Sequence, residues 1–138
     1  HYFPASVSGR PRTERADRHP GTGLSRILVI EDSPSIGLLL RRRLEMAGHS
    51  VQVEPDGKTA LEVLAGADGF PDLVVSDLSM PGIDGIETIR QIKSRHRELP
   101  AILVTAHSLA PEQQTGADEV IGKPIDFDRL LKTVARLT

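Results

Sequence analysis

The chain contains no cysteine and no tryptophan, and aromatic residues fill 3% of its 138 positions. Without cysteine there is no disulfide framework, no thiolate zinc site and no thiol nucleophile, so the fold must be held by its core alone. The same absence agrees with a reducing, cytoplasmic setting. Scarce aromatics remove the stacking platforms on which single strands are bound, and a formal net charge of -2 removes the basic surface that a phosphate backbone demands. Nucleic acid is therefore not expected as a direct partner. No apolar run approaches the roughly 20 residues needed to cross a bilayer, so no membrane-spanning role is expected. What is present, 38% hydrophobic and 26% charged residues, suits one soluble domain with a tail.

The tail is at the front. Residues 1–24 hold Pro4, Pro11 and Pro20, several Gly and Ser, and four arginines against Glu14 and Asp17, with no sustained apolar period and no signal-peptide core. They read as a flexible N-terminal arm or a linker. Residues 25–138 form the expected domain and carry the negative balance of the chain.

From Arg26 onward short apolar runs alternate with helical patterns, the signature of repeated βα units and a parallel sheet. Strands are expected over 27–30, 51–54, 73–76, 101–105 and 120–122. Ser33 and Pro34 open a first helix whose inward positions are Ile36, Leu39, Leu40, Leu44 and Ala47, and Gly48 ends it. Residues 58–67 form a second helix around Ala60, Leu61, Val63 and Leu64. After the Pro81-Gly82 break, Ile86, Ile89 and Ile92 mark a third. Asp126 caps a last helix with Phe127, Leu130, Leu131, Val134 and Leu137 inward. Between strands four and five only a stub of helix is expected, because Gly116 closes what Ser108 and Pro111 would open.

In an open parallel sheet, ligands bind beyond the carboxyl ends of the strands. Strand one ends in Glu31 and Asp32, strand three in Asp77, strand four in Thr105, and strand five runs into Lys123. Three carboxylates crowded together repel unless a cation sits among them, and a hard divalent ion is the natural counter-charge. Mg²⁺ takes few carboxylates and completes its shell with water and phosphate oxygens, so the cluster suits phosphoryl transfer. A single strand-end acid would be a solvated cap; five such groups at one sheet edge are not.

Glu31-Asp32 after an apolar strand, Asp77 within DLSMPGIDG, Thr105-Ala106 after strand four and Lys123-Pro124 resemble the receiver domains of bacterial two-component response regulators. The resemblance covers residues 25–138. It implies a flavodoxin-like, doubly wound five-stranded sheet of order 2-1-3-4-5 with helices on both faces. It further implies that Asp77 accepts a phosphoryl group from a histidine kinase or histidine phosphotransfer protein. By the same likeness Asp32 and Asp77 bind Mg²⁺ directly, with the Ser79 carbonyl as a third ligand and Glu31 acting through water. Lys123 then pairs with the phosphoryl oxygens, Thr105 donates its hydroxyl to them, and Lys123-Pro124 is cis. The domain would be a switch and not a turnover enzyme, although able to catalyse its own phosphorylation and dephosphorylation.

Competing readings fail on specific residues. Gly57-Lys58-Thr59 looks like the end of a phosphate-binding loop, but the required upstream glycine is Gln52. A haloacid-dehalogenase-type hydrolase would, by its own resemblance, want a second Asp where Ser79 stands. His49, His96 and His107 lack metal-ligand spacing. Arg41, Arg42 and Arg43 read as a solvated helix face, the sharper alternative being a docking surface for the phosphodonor. Two departures support a rival, a phosphorylation-independent interaction module: Val120 stands where the family places its switch aromatic, and the helix before strand five is stunted. The output partner and oligomeric state are not written in the sequence.

Overall fold

A computed structural model describes residues 25–66, 70–109 and 114–138; the 1–24 arm lies outside this set. The elements are β1 (Arg26–Ile30), α1 (Pro34–Met46), β2 (Ser50–Glu54), α2 (Gly57–Ala65), β3 (Leu73–Asp77), α3 (Gly85–Arg95), β4 (Ala101–Thr105), β5 (Glu119–Gly122) and α4 (Phe127–Leu137). All strand pairs are parallel and the order is β2-β1-β3-β4-β5. The expected doubly wound sheet is thus in place.

Successive residues of a strand point to opposite faces, so a strand covered on both sides must be apolar throughout. β1 shows this directly. Ile27 and Val29 join Val75, Val104 and Ile121 in a core closed by Leu40 and Leu44 of α1 and Leu130 and Val134 of α4. Leu28 and Ile30 join Val74 and Leu103 on the other face, beneath Ala60 and Leu64 of α2 and Ile89 and Ile92 of α3.

Each helix begins on a side-chain cap that satisfies one of its free N–H groups. Ser33 Oγ accepts from Ile36 N at 3.4 Å, Asp56 from Thr59 N at 2.7 Å, Asp84 from Glu87 N at 2.8 Å and Asp126 from Arg129 N at 3.2 Å. The caps of α1 and α2 start those helices a few residues past the strand ends, whereas a longer loop, residues 78–84, separates β3 from α3. Gly48, at φ 100°, closes α1 in the left-handed conformation expected of its position.

Two expectations need correction. Leu39 is 47% exposed, and Ala47, just past the last residue of α1, is exposed as well, so neither is an inward residue of α1. The buried stripe is Gly37, Leu40 and Leu44; at about 100° per residue Leu39 lies about 100° beyond its edge. Gly37 occupies the inward place because α1 passes so close to the sheet that a Cβ there would meet Val53 Cγ1 at 3.2 Å. The arginines of α1 are not a uniformly solvated face either. Arg43 lies over the Phe127 ring at 4.4 Å, tying α1 to α4, and Arg41 pairs with Glu45. In the β4–β5 connection the described residues, 106–109 and 114–118, contain no helix. The centre of the expected stub, 110–113, lies outside the described set.

Candidate functional site

The carboxyl edge of the sheet gathers the groups that end its central strands. Ile30 is in register with Ser76 and Asp77 with Val104, so β1, β3 and β4 finish side by side. Pairing continues past the strands: Glu31 N donates to Glu54 O at 3.0 Å, and Lys123 N donates to Thr105 O at 2.8 Å. These bonds fix the roots of Glu31 and Lys123 on either side of Asp77.

Glu31, Asp32 and Asp77 each offer a carboxylate oxygen within 4.8 Å of the others. Glu31 and Asp77 are buried and Asp32 is exposed. Lys123 reaches into the cluster, its Nζ 3.0 Å from Asp77 Oδ1 and 3.6 Å from Glu31 Oε1. Ser33 N donates to Glu31 Oε2 at 3.1 Å, a contact that sequence spacing did not disclose because it depends on the turn between β1 and α1.

Burial pushes the Glu31 carboxyl up from its ordinary range, and the Asp77 charge adds to this against the opposing effects of Ser33 N–H and Lys123. For Lys123, burial acts downward, but the hydrogen bond to Asp77 and the charges of Glu31 and Asp77 outweigh it and leave its pKa raised. The lysine is therefore held as an ammonium among carboxylates, a preorganised positive end for an incoming anion.

Of the residues singled out from the sequence, Glu31, Asp32, Asp77 and Lys123 are brought together. Thr105 ends β4 beside them, 3% exposed, but its hydroxyl is engaged locally: it accepts from His107 N at 2.9 Å and lies 3.4 Å from His107 O. Ser79, two residues beyond Asp77, is exposed in the loop before α3. Lys123-Pro124 is cis, as expected. Glu54 also ends a strand, yet its carboxylate accepts from Gln52 Nε2 at 2.8 Å and it stands outside the cluster.

The order 2-1-3-4-5 parallel sheet, with an acidic cluster and a countering lysine at its carboxyl edge, defines a flavodoxin-like α/β domain with a charged site beyond its strand ends. The sequence model of the response regulator receiver domain matches residues 27–135, and the chain belongs to that family. The chain is 37% identical over 116 residues to the response regulator MprA of Mycolicibacterium vanbaalenii, covering 81% of this chain and 49% of MprA; it spans about half the length of that relative. Among solved structures, the response regulator TrrA of Thermotoga maritima in complex with Mg²⁺-BeF has a TM-score of 0.76 at 34% identity, covering 83% of this chain and all (100%) of that one. TrrA in complex with the histidine kinase ThkA gives a TM-score of 0.75 at 34% identity, over 83% of this chain and 98% of that one. Residues 27–135 are thus a receiver domain of two-component signalling. The family match and these relatives support the phosphorylation-dependent switch over the phosphorylation-independent alternative. Among the described residues no helix is long and apolar enough to cross a membrane.

Proposed function

We propose that Asp77 is the phosphoryl acceptor of a Mg²⁺-dependent cytoplasmic switch whose donor is a histidine kinase or histidine phosphotransfer protein. The observation that carries this reading is the Asp77 carboxylate at the end of β3 with the Lys123 ammonium at 3.0 Å. A carboxylate oxygen of Asp77 attacks the phosphorus of the phosphohistidine, the P–N bond breaks, and the electron pair stays on the imidazole nitrogen, which is then protonated. Lys123 already faces the side on which the equatorial oxygens arrive and balances part of their charge.

The donor set fits a hard cation: three carboxylate oxygens within 4.8 Å of one another, two of them on buried residues, would otherwise be mutually repulsive. Asp32 and Asp77 would hold Mg²⁺, with the Ser79 carbonyl as a further ligand and Glu31 acting through water. When bound, the ion supplies charge neutralisation at the transferring phosphoryl group. The likeness to TrrA, described with Mg²⁺-BeF and with a kinase, supports both metal and donor.

Thr105 reports the result. Its hydroxyl is satisfied by the His107 backbone, and a phosphoryl oxygen offers a charge-assisted bond worth about 1.5–3 kcal/mol in exchange, enough to draw the 105–107 turn inward. Val120, short and branched, cannot swing as an aromatic would, so the loop itself carries the change. On the donor side, exposed Leu38 and Leu39 with Arg42 give α1, the helix that follows Asp32 in the chain, an apolar and basic surface. The same site geometry suits the domain to catalyse its own phosphorylation from small donors and its own dephosphorylation.

Incubation with Mg²⁺ and acetyl phosphate or phosphoramidate, followed by intact-mass analysis, tests the reading. One phosphoryl adduct is expected, lost on chelation and absent from Asp77→Asn. A wild-type protein that stays unmodified with both donors would remove the proposal.

A further inference from the structure

We propose that Gly85 and Ser76 are positioning residues for the Asp77 carboxylate, acting together on its peptide carbonyl; the inference rests on Asp77 being the acceptor. Asp77 is the last residue of β3, so its far side is held by no further strand, and its orientation depends on what grips the peptide that follows. Two groups do. Ser76, fully buried, donates from Oγ to the Asp77 carbonyl oxygen at 3.0 Å. Gly85, the first residue of α3, lies against that same carbonyl from the opposite element: a Cβ built there would collide with Asp77 O and would stand 2.9 Å from both Asp77 C and Leu103 Cδ1.

The collision matters because its partner is backbone. A flexible side chain could turn away, but the Asp77 carbonyl is part of a strand terminus fixed to its neighbour by Leu78 N donating to Val104 O at 2.9 Å. Gly85 also donates its own N–H to Leu78 O at 2.8 Å, so the start of α3 is fastened to the peptide one residue beyond the Asp77 carbonyl. The helix cannot back away without losing that bond and disturbing the Asp84 cap on Glu87 N. Glycine is therefore required at position 85 for close approach and not for backbone freedom, its φ lying outside the positive region.

In-line transfer needs the nucleophile held within a fraction of an ångström, and about 1 Å of displacement can cost on the order of 100-fold in rate. A side chain at position 85 must rotate the Asp77 peptide or lift α3, and either swings the carboxylate away from Lys123. Removing the Ser76 hydroxyl takes away the hydrogen bond to the same carbonyl with little change in volume.

The test compares Gly85→Ala, Ser76→Ala and wild type in the rate of Asp77 modification by acetyl phosphate at saturating Mg²⁺, well below each melting temperature and normalised to the folded fraction. Val134→Ala, which opens a cavity under α4 remote from this carbonyl, serves as a control of lowered stability. The expected result is a rate about 10- to 100-fold lower for Gly85→Ala and about 3- to 10-fold lower for Ser76→Ala, with Val134→Ala at the wild-type rate. If Gly85→Ala modifies as fast as wild type per folded molecule, the positioning role is wrong and the glycine serves packing alone. Should Gly85→Ala not fold, Ser76→Ala decides: a wild-type rate overturns the proposal and a slowed one sustains it. Absence of modification in wild type itself would instead remove the assignment of Asp77, a separate failure.

Discussion

Replacing Lys123 by methionine separates the two tasks that the lysine performs in the free domain. Its ammonium stands 3.0 Å from Asp77 and 3.6 Å from Glu31, and at an effective dielectric constant of about 20 each contact carries an attraction of about 5 kcal/mol. Much of that is offset by desolvation of the lysine, whose side chain is 21% exposed, so the net loss in Lys123→Met without metal should be about 1–3 kcal/mol, the range of a charge-assisted hydrogen bond. For a domain of this size that is a fall of several degrees in Tm. Methionine keeps the length and apolar stem of the side chain, so packing changes little. The carboxylates left behind now repel without a counter-charge, and a divalent ion should bind them more tightly than before. Each tenfold gain in affinity adds about 1.4 kcal/mol to the stabilisation at saturating metal. Calorimetric melting of wild type and Lys123→Met across a Mg²⁺ series reads both effects. The variant should begin lower, gain more from Mg²⁺, and accept no phosphoryl group. A variant as stable as wild type in chelator, or one with no larger Mg²⁺ increment, would refute the view that Lys123 neutralises this cluster.

Mg²⁺ should raise the Tm of wild type but not of Asp32→Ala, since only the folded chain brings Glu31, Asp32 and Asp77 within 4.8 Å; equal gains in the two proteins would place the ion elsewhere. The domain should also lose stability as pH falls through 6.5, the ordinary value for His49, whose pKa is lowered by burial despite the nearby Asp72 charge. The sign follows from proton uptake: below 6.5 the unfolded His49 is protonated while the folded one resists, so the unfolded state binds more protons and gains, with a limiting slope of about 1.4 kcal/mol per pH unit. Denaturant titrations between pH 7.5 and 5.5 should show this slope reduced in His49→Gln, and an unchanged slope would assign the pH dependence to other groups.

The sequence by itself determined the order of elements and the chemical content of the site. Apolar runs of strand length, separated by capped amphipathic stretches, admit little besides a parallel sheet, and the rule that ligands gather beyond its strand ends was enough to select Glu31, Asp32, Asp77, Thr105 and Lys123. Strand order itself came from family likeness, because periodicity is blind to which strands are neighbours. Tertiary structure decided what depends on distances between segments remote in the chain. It turned Leu39 outward, because the inward line of α1 is set by how closely Gly37 approaches Val53. It placed Arg43 on Phe127, a pairing no local pattern contains. It excluded Glu54 from the acidic cluster, since a strand-end carboxylate bonded to Gln52 is indistinguishable in sequence from one that faces a ligand. It also set Gly85 against the carbonyl of Asp77. A missing side chain carries no signal of its own in a sequence, and its consequence exists only where another backbone comes close enough to need the space.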